Sequence, residues 1–481
     1  MHFLQKAIVI TCLATSVLSL PNSLGQKKIE HIVLLSFDGL HQSDVDAYVK
    51  ANPSSAIATL LKTSVEFDNA QTSKPSDSFP GLIAQVTGGS PKTTGIFYDV
   101  SYDRTFFDPG SNCTGTPGAV TAYDETIDFN STAPVTSINP ANLPKTLKNG
   151  QCVGVTPHEF LKVNTIFEVA KKHGFFTAWT DKHPAYDIIN GPSGKGVDDL
   201  YTPEINGINT VEPDIQVYDT LHLNAILNWL KGVSSAGKSI PVPGILGGNF
   251  QVISVSQKDS AGGYLDAVGQ QPSDELKKGL DFCLNYTVGQ IADTLEQQNL
   301  TEKTLFIISA KHGQSPINKA LLNKIPSANL TSAIGVPIGG LTADDVALIW
   351  LKDQSNVDTA VANIQKNSDA LGVLKIFSGA ELANEFGDPT KNSRTPDIII
   401  QTKPGVIYTT GSKIAEHGGF NEDDVHVPII VSNPYLKAQV ISKHVTTAQI
   451  APTILEVLGI NPSELEAVKA ENVAPLDGCV P

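Results

Sequence analysis

The chain has 481 residues, 17% of them charged, and a formal net charge of −15. An acidic protein is repelled by the phosphate backbone of nucleic acids, so backbone binding is not expected as its main function. A small anionic substrate is still compatible with this charge, because a local cation can outweigh the overall field.

The first residues are typical of a signal peptide, which we predict over 1–25. Lys6 supplies the positive start, residues 7–20 are apolar, and Ser23-Leu24-Gly25 offers small residues for cleavage. The alternative, a retained anchor, requires a longer apolar run. The C-terminus lacks the hydrophobic tail of a glycolipid anchor. We therefore expect a secreted, extracellular protein without a membrane anchor.

Cysteines and glycosylation motifs agree with secretion. Four cysteines follow the predicted signal, and an even number suggests two disulfides in an oxidising compartment. Cys113 and Cys152 flank one irregular segment and are predicted to pair, which leaves Cys283 to pair with Cys479 by elimination. Five asparagines begin Asn-x-Ser/Thr motifs and are predicted glycosylation sites: Asn112, Asn130, Asn285, Asn299 and Asn329.

Strand-like and helix-like segments alternate along the chain. This alternation predicts an α/β fold with a central, mostly parallel sheet and helices on both faces. We expect one hydrolase domain over 26–481, interrupted by an excursion near 98–158. The predicted strands are 32–37, 175–180, 250–256, 305–309, 346–351, 373–377, 397–400 and 427–431, and the predicted helices are 44–63, 79–86, 164–173, 219–231, 273–298 and 446–458.

Four short motifs contain the residues that are best suited to catalysis or metal binding. Asp38 lies in SFDGL, Ser78 in SKPSDSFPGL, His312 in SAKHGQ and His417 in EHGGF. Asp38 and His312 follow apolar strands, whose ends form the ligand-binding edge of open α/β sheets. Each residue also has a structural explanation: an Asp-Gly turn, a helix N-cap serine, or a buried histidine. Together they favour a metal-dependent ester hydrolase.

The order Asp38, Ser78-Phe79-Pro80, Lys311-His312-Gly313 and His417-Gly418 resembles the type I phosphodiesterase/nucleotide pyrophosphatase family of the alkaline phosphatase superfamily. The resemblance spans most of the mature chain and implies an alkaline-phosphatase-like fold. It also implies two zinc ions and a covalent phospho-enzyme. Carried over, Ser78 is the nucleophile and a metal ligand, and the other implied ligands are Asp38, Asp259, His312 and His417.

Three positions depart from the family pattern. The segment Asp259-Ser260-Ala261-Gly262-Gly263 lacks the family's histidine, Lys311 replaces an aspartate, and Gly81 replaces an asparagine that helps to hold the transferred group. Replacing a carboxylate by an ammonium makes the Coulomb interaction with a metal dication less favourable. At a distance of about 5 Å and an effective dielectric of about 20, this change amounts to roughly 13 kcal/mol. We therefore expect at most one tightly bound divalent ion, with zinc as the first candidate.

Lys311 is consequently predicted to be catalytic, with its ammonium replacing part of the second metal and holding a substrate oxygen. Two alternatives are direct ligation by the neutral amine or a side chain that points elsewhere. Gly81, Asp181 and Lys182 are the predicted substrate-binding residues, although an ordinary charged loop is the alternative explanation for the last two and is slightly favoured.

The sequence thus predicts hydrolysis of small phosphate esters or phosphodiesters, with nucleotides among the candidate substrates. One alternative is a phosphomonoesterase, phosphonate hydrolase or sulfatase-like enzyme with a reduced metal site. A second alternative is a glycosylated binding protein that kept the scaffold and lost turnover. The oligomeric state is left open.

Overall fold

The computed structural model describes residues 28–208 and 212–481. The predicted signal peptide therefore lies outside the described residues. Among those residues, no helix is both long enough and apolar enough to cross a membrane.

An eight-stranded sheet and a four-stranded sheet organise the fold. The strands are β1 (His31–Phe37), β2 (Ser64–Phe67), β3 (Ala178–Thr180), β4 (Asp199–Tyr201), β5 (Ile245–Phe250), β6 (Thr304–Ser309), β7 (Ile338–Ala343), β8 (Val346–Leu351), β9 (Val373–Ser378), β10 (Ile398–Thr402), β11 (Ile429–Ser432) and β12 (Gln439–Ile441).

The large sheet has the order β12-β2-β11-β6-β1-β5-β3-β4. β1 pairs in parallel with both β5 and β6, and β3 pairs in parallel with β5 and β4. β11 pairs antiparallel with both β6 and β2. The sheet is therefore mostly parallel, as predicted, and the carboxyl ends of β1, β3, β5 and β6 meet at one edge.

Helices cover both faces of this sheet. The α-helices of five residues or more in the described chain are α1 (Gln42–Ala51), α2 (Ala56–Leu60), α3 (Ser78–Thr87), α4 (Ile166–Lys172), α5 (Glu212–Leu230), α6 (Val252–Lys258), α7 (Asp274–Asp281), α8 (Val288–Gln297), α9 (Ser327–Ile334), α10 (Val357–Lys366), α11 (Gly379–Phe386), α12 (Ile450–Val457) and α13 (Glu466–Glu471). Of these, α9–α11 pack on the smaller sheet instead.

Alternate residues of β1 pack into two different cores. Ile32 and Leu34 belong to one apolar cluster, whereas Val33, Leu35 and Phe37 belong to another on the opposite face. All five side chains are fully buried. This is the pattern expected of a parallel strand covered by helices on both faces.

The predicted strand 250–256 is wrong. The strand is β5, Ile245–Phe250, and residues Val252–Lys258 form helix α6. Asp219 of α5 accepts hydrogen bonds from the backbone N–H groups of Gln251 and Val252 at 2.8–3.0 Å. This carboxylate satisfies donors at the start of α6 and so favours a helix over the strand that the β-branched residues suggest.

Strands β7–β10 form an antiparallel sheet of their own. Its two faces contribute to separate apolar clusters, one containing Ile349 and Ile400 and the other Leu348 and Trp350. Three of these strands were predicted, but their separation from the central sheet was not. That residues 26–481 form a single domain stays a prediction.

The excursion near 98–158 contains two short hairpins, Val100–Asp103 with Ala119–Ala122 and Lys145–Lys148 with Gln151–Gly154. Cys113 and Cys152 form a disulfide, as predicted. The predicted Cys283–Cys479 disulfide is wrong, because both cysteines are free. They are buried in the clusters on opposite faces of the central sheet, so their sulfur atoms cannot meet.

Candidate active site

The four predicted motifs converge at the carboxyl edge of the central sheet. Asp38 directly follows β1, His312 follows β6, and Ser78 is the first residue of α3. Asp38, Ser78 and His312 are buried, whereas the side chain of His417 is 13% exposed. The predicted gathering of a carboxylate, a hydroxyl and two imidazoles is thus present.

Ser78 lies at the centre of this group. The preceding residue, Asp77, is the N-cap of α3, and its carboxylate accepts a hydrogen bond from Phe79 N at 2.9 Å. Ser78 Oγ lies 3.1 Å from His312 Nε2, 3.1 Å from Lys182 Nζ and 3.4 Å from Asp38 Oδ2. The hydroxyl therefore lies where the partial positive charge of a helix N-terminus stabilises a negative oxygen.

The carboxylate of Asp38 is held by several protein donors. Its Oδ2 accepts hydrogen bonds from Gln251 Nε2 at 2.7 Å, Asn249 Nδ2 at 3.1 Å and Lys182 Nζ at 3.4 Å. Burial alone would raise the pKa of this carboxyl, but the ammonium groups of Lys311 and Lys182 hold the pKa well below its ordinary value. Asp38 is therefore an anion stabilised by lysines.

The two histidines stack on each other, with ring centroids 3.9 Å apart. His312 Nδ1 lies 2.7 Å from the backbone oxygen of Gly313, and His417 Nδ1 lies 3.6 Å from Asp77 Oδ1. Burial lowers the pKa of His312 to about 4 and also lowers the pKa of His417. Two stacked imidazoles disfavour simultaneous protonation, because like charges repel at this distance.

Lys311 does not contact Ser78. Its ammonium makes a bidentate ion pair with Asp181 at 2.8 and 2.9 Å, and both side chains are 0% exposed. The same ammonium lies 4.0 Å from the centre of the Tyr186 ring. The predicted contact of Lys311 with a substrate oxygen is not supported, because Asp181 and Tyr186 enclose the ammonium.

Asp181 and Lys182 follow β3 and point in different directions. Asp181, predicted to line the substrate pocket, is instead buried against Lys311. Lys182 does line a cavity of about 330 Å³, together with Gln251, Lys258, Asp259 and Lys413. Lys182 is thus at the site, as predicted, whereas Asp181 is buried in the protein interior.

Gly81 was predicted to bind substrate, which stays a prediction, and the structure shows that this glycine is needed for close packing. A Cβ atom at this position would lie 2.1 Å from the backbone oxygen of Lys311. Glycine therefore lets helix α3 pack directly on the segment that carries Lys311 and His312. The asparagine expected from the family would not fit this packing.

Asp259 follows the end of α6, and its Oδ1 accepts a hydrogen bond from Ala261 N at 2.8 Å. Gly263 has a φ of +65°, a left-handed turn conformation that glycine adopts readily. This segment therefore forms a turn in the wall of the cavity and supplies one carboxylate to it.

These side chains do not fit the two-zinc arrangement that the resemblance implies. Within the described ranges, no three histidine, cysteine, aspartate or glutamate side chains are grouped so that they could hold a metal ion. Buried atoms without a hydrogen-bond partner do occur here, on Asp38, Asp77 and His417. The Lys182 ammonium, however, lies between Asp38 and Ser78 and contacts both side chains. The predicted ligand set, Asp259 included, stays a prediction.

Sequence reasoning missed two residues of the site. Asn249 and Gln251 both hold Asp38 and lie at the carboxyl end of β5, next to β1. The misplaced strand 250–256 left Asn249 before its start and made Gln251 its second residue, far from the carboxyl end. A strand over ILGGNF would have placed them at the ligand-binding edge.

Comparison with known proteins supports the resemblance. The sequence model of the family described as type I phosphodiesterase/nucleotide pyrophosphatase matches residues 32–424. Among curated protein sequences, none matches this chain significantly.

Two solved structures have a similar fold. One is murine ectonucleotide pyrophosphatase/phosphodiesterase 5 in an inactive variant bound to AMP, with a TM-score of 0.59 and 13% identity over 91% of this chain and 96% of that one. The other is the same murine protein, with a TM-score of 0.59 and 14% identity over 90% and 96%. At these identities the similarity establishes the alkaline-phosphatase-like fold alone, which was the predicted fold.

Proposed function

Because this chain belongs to the type I phosphodiesterase/nucleotide pyrophosphatase family, we propose that it hydrolyses phosphate esters or phosphodiesters with Ser78 as the nucleophile. Family membership and fold indicate a hydrolase of the phosphodiesterase/pyrophosphatase type. The observation that supports Ser78 is the environment of its Oγ, which contacts an imidazole, an ammonium and a carboxylate within 3.4 Å.

This environment suits a serine that must become an alkoxide. An activated serine requires a neighbouring acceptor for its proton and stabilisation of the negative oxygen. His312 Nε2 is within hydrogen-bond distance for the first task, and the start of the ten-residue helix α3 contributes to the second.

The proposed substrate is a small anionic ester. Lys182, which contacts Ser78, lines the cavity together with Lys258 and Lys413, although Glu416 pairs with the last two. Positive side chains in a concave site attract phosphate groups despite the acidic protein surface. The AMP bound to the murine structure makes a nucleotide ester a reasonable first substrate to test.

We also propose that the protein is secreted. The Cys113–Cys152 disulfide supports an oxidising compartment. Four of the five predicted glycosylation sites, Asn112, Asn130, Asn299 and Asn329, are exposed, as an acceptor requires. Asn285 is half-buried and its amide oxygen accepts a hydrogen bond from Ala56 N, so glycosylation there is less favoured.

The test compares wild type with Ser78→Ala and Ser78→Thr on chromogenic phosphate monoesters, phosphate diesters and sulfate esters. We expect the wild type to prefer a phosphate ester, Ser78→Ala to lose turnover, and Ser78→Thr, which keeps a hydroxyl, to retain part of it. Full activity of Ser78→Ala would contradict the proposed nucleophile. No turnover of any ester by the wild type would contradict the hydrolase and favour a binding protein.

A further inference from the structure

We infer that the Lys182 ammonium takes the place of a metal ion at Ser78, so that hydrolysis proceeds without a bound divalent cation. This inference rests on the proposed function and adds a catalytic residue to it. Lys182 touches the reacting oxygen, since its Nζ lies 3.1 Å from Ser78 Oγ.

All three protons of the Lys182 ammonium have an acceptor in the site. These acceptors are Ser78 Oγ at 3.1 Å, Gln251 Oε1 at 3.3 Å and Asp38 Oδ2 at 3.4 Å. A cation that bridged Asp38 and Ser78 would need the space that the ammonium occupies. The lysine therefore supplies one positive charge where the nucleophile and a carboxylate meet.

Lys182 is held in this position from several sides. Its backbone N–H donates to Asp181 Oδ1 at 2.9 Å, and Asp181 is itself fixed by Lys311. Asp38, the carboxylate facing Lys182, is fixed by Asn249 and Gln251. A charge that is already positioned stabilises a developing anion without reorganising during the reaction.

The same geometry gives His312 the role of proton acceptor. Nδ1 lies 2.7 Å from the carbonyl oxygen of Gly313, an acceptor only, so Nδ1 must carry the ring proton. Nε2 is then free to accept, and it lies 3.1 Å from Ser78 Oγ. Asp38 Oδ2, 3.8 Å from Nε2, stabilises the imidazolium that results.

The reaction then balances without a metal. Ser78 Oγ attacks phosphorus and passes its proton to His312 Nε2. The P–O bond to the leaving group breaks, and the leaving group departs as its anion, which for a 4-nitrophenyl ester is 4-nitrophenolate. A water molecule then attacks the phosphoserine and releases one proton to solvent, the Oγ–P bond breaks, and Oγ recovers its proton from His312. The Lys182 ammonium donates to Oγ while negative charge develops on it, during the attack and again when the Oγ–P bond breaks.

The experiment uses the full secreted protein and bis(4-nitrophenyl) phosphate, assayed before and after removal of divalent ions with a chelator. Zinc content is measured by elemental analysis in each sample. The variants are Lys182→Met, which keeps the chain length without the charge, and Lys182→Arg, which keeps the charge. The control is Lys171→Met, since Lys171 on α4 pairs with Asp198 outside the site. Circular dichroism checks that each variant folds.

We expect chelation to leave kcat/KM of the wild type within about twofold. Lys182→Met should lower kcat by about 100- to 1000-fold, the range seen when one preorganised donor is removed from a reacting oxygen. Lys182→Arg should recover part of this loss, and Lys171→Met should match the wild type.

Loss of activity on chelation, with recovery when zinc is added, would overturn the inference while the proposed function stands. Undiminished activity of Lys182→Met would overturn it as well. If Lys182→Met does not fold, the chelation result and Lys182→Arg still decide. An active Ser78→Ala variant, by contrast, would contradict the proposed function itself.

Discussion

Two lysine–aspartate pairs lie at the carboxyl edge of the central sheet, and their surroundings are opposite. Lys311 and Asp181 are 0% exposed and make two short contacts. Lys182 and Asp38 are joined by one contact of 3.4 Å, and the Lys182 side chain is 16% exposed beside a cavity. The enclosed pair has no atom free for a substrate, whereas the open pair contacts the nucleophile.

The difference shows how adjacent residues acquire separate roles. Asp181 and Lys182 are neighbours after β3, and consecutive side chains leaving a strand point to opposite sides. Asp181 neutralises the buried Lys311, and Lys182 is thereby left for Asp38 and Ser78. We infer that the enclosed pair stabilises the fold and that the open pair performs chemistry.

The largest expected effect on stability comes from breaking the enclosed pair. Lys311→Met leaves the Asp181 carboxylate buried without its cation, which should lower the free energy of unfolding by about 3–5 kcal/mol. Urea denaturation followed by circular dichroism measures this loss. The double variant Lys311→Met/Asp181→Asn, which removes both charges, should recover most of it. A loss below about 1 kcal/mol in the single variant would contradict the claim that the enclosed pair stabilises the fold.

A smaller loss is expected when the packing between α3 and the Lys311 segment is disturbed. Alanine at a helical glycine normally stabilises a protein by about 0.5–1 kcal/mol. In Gly81→Ala the added Cβ would meet the Lys311 carbonyl oxygen, so we expect a loss of about 1–3 kcal/mol instead. Gly289→Ala is the control, because this glycine is also helical, in α8, and its Cβ would contact only Ala56 at 3.4 Å. A stabilising Gly81→Ala would show that this contact is not rigid.

The smallest expected effect on stability comes from the open pair. Lys182→Met should cost about 1 kcal/mol, because it removes one long contact of 3.4 Å while the buried Asp38 keeps its two amide donors and the nearby charge of Lys311. The same urea titration measures it. A loss as large as that of Lys311→Met would mean that both pairs serve the fold, and the division of roles would be lost.

Much of the fold could be predicted from the sequence because its signals are local. The apolar runs of β1 and β6 and the Pro80 at the start of α3 mark elements that the structure contains. The strand at 250–256 failed because Val252, Ile253 and Val255 favour strands, while the Asp219 cap that fixes the helix comes from a distant helix. Tertiary contacts of this kind leave no local signal.

The residues that converge at the site could be predicted from the sequence, but the positions of the two lysines could not. Asp38, Ser78 and His312 follow recognisable motifs and converge as expected. Which lysine reaches Ser78 depends on where Asp181 points, and the sequence contains no sign of that direction. Lys311 was therefore predicted to replace a metal ion because it is next to His312 in sequence. The structure supports this role better for Lys182.

The most direct test of a serine activated by Lys182 and His312 is to detect the phosphoserine in metal-free protein. Wild type stripped with a chelator, and shown by elemental analysis to lack zinc, is mixed with a phosphodiester, quenched with acid and mapped by mass spectrometry. We predict a phosphorylated peptide that contains Ser78, with no increase when zinc is restored. Phosphorylation of Ser78 only after zinc is added would contradict the account.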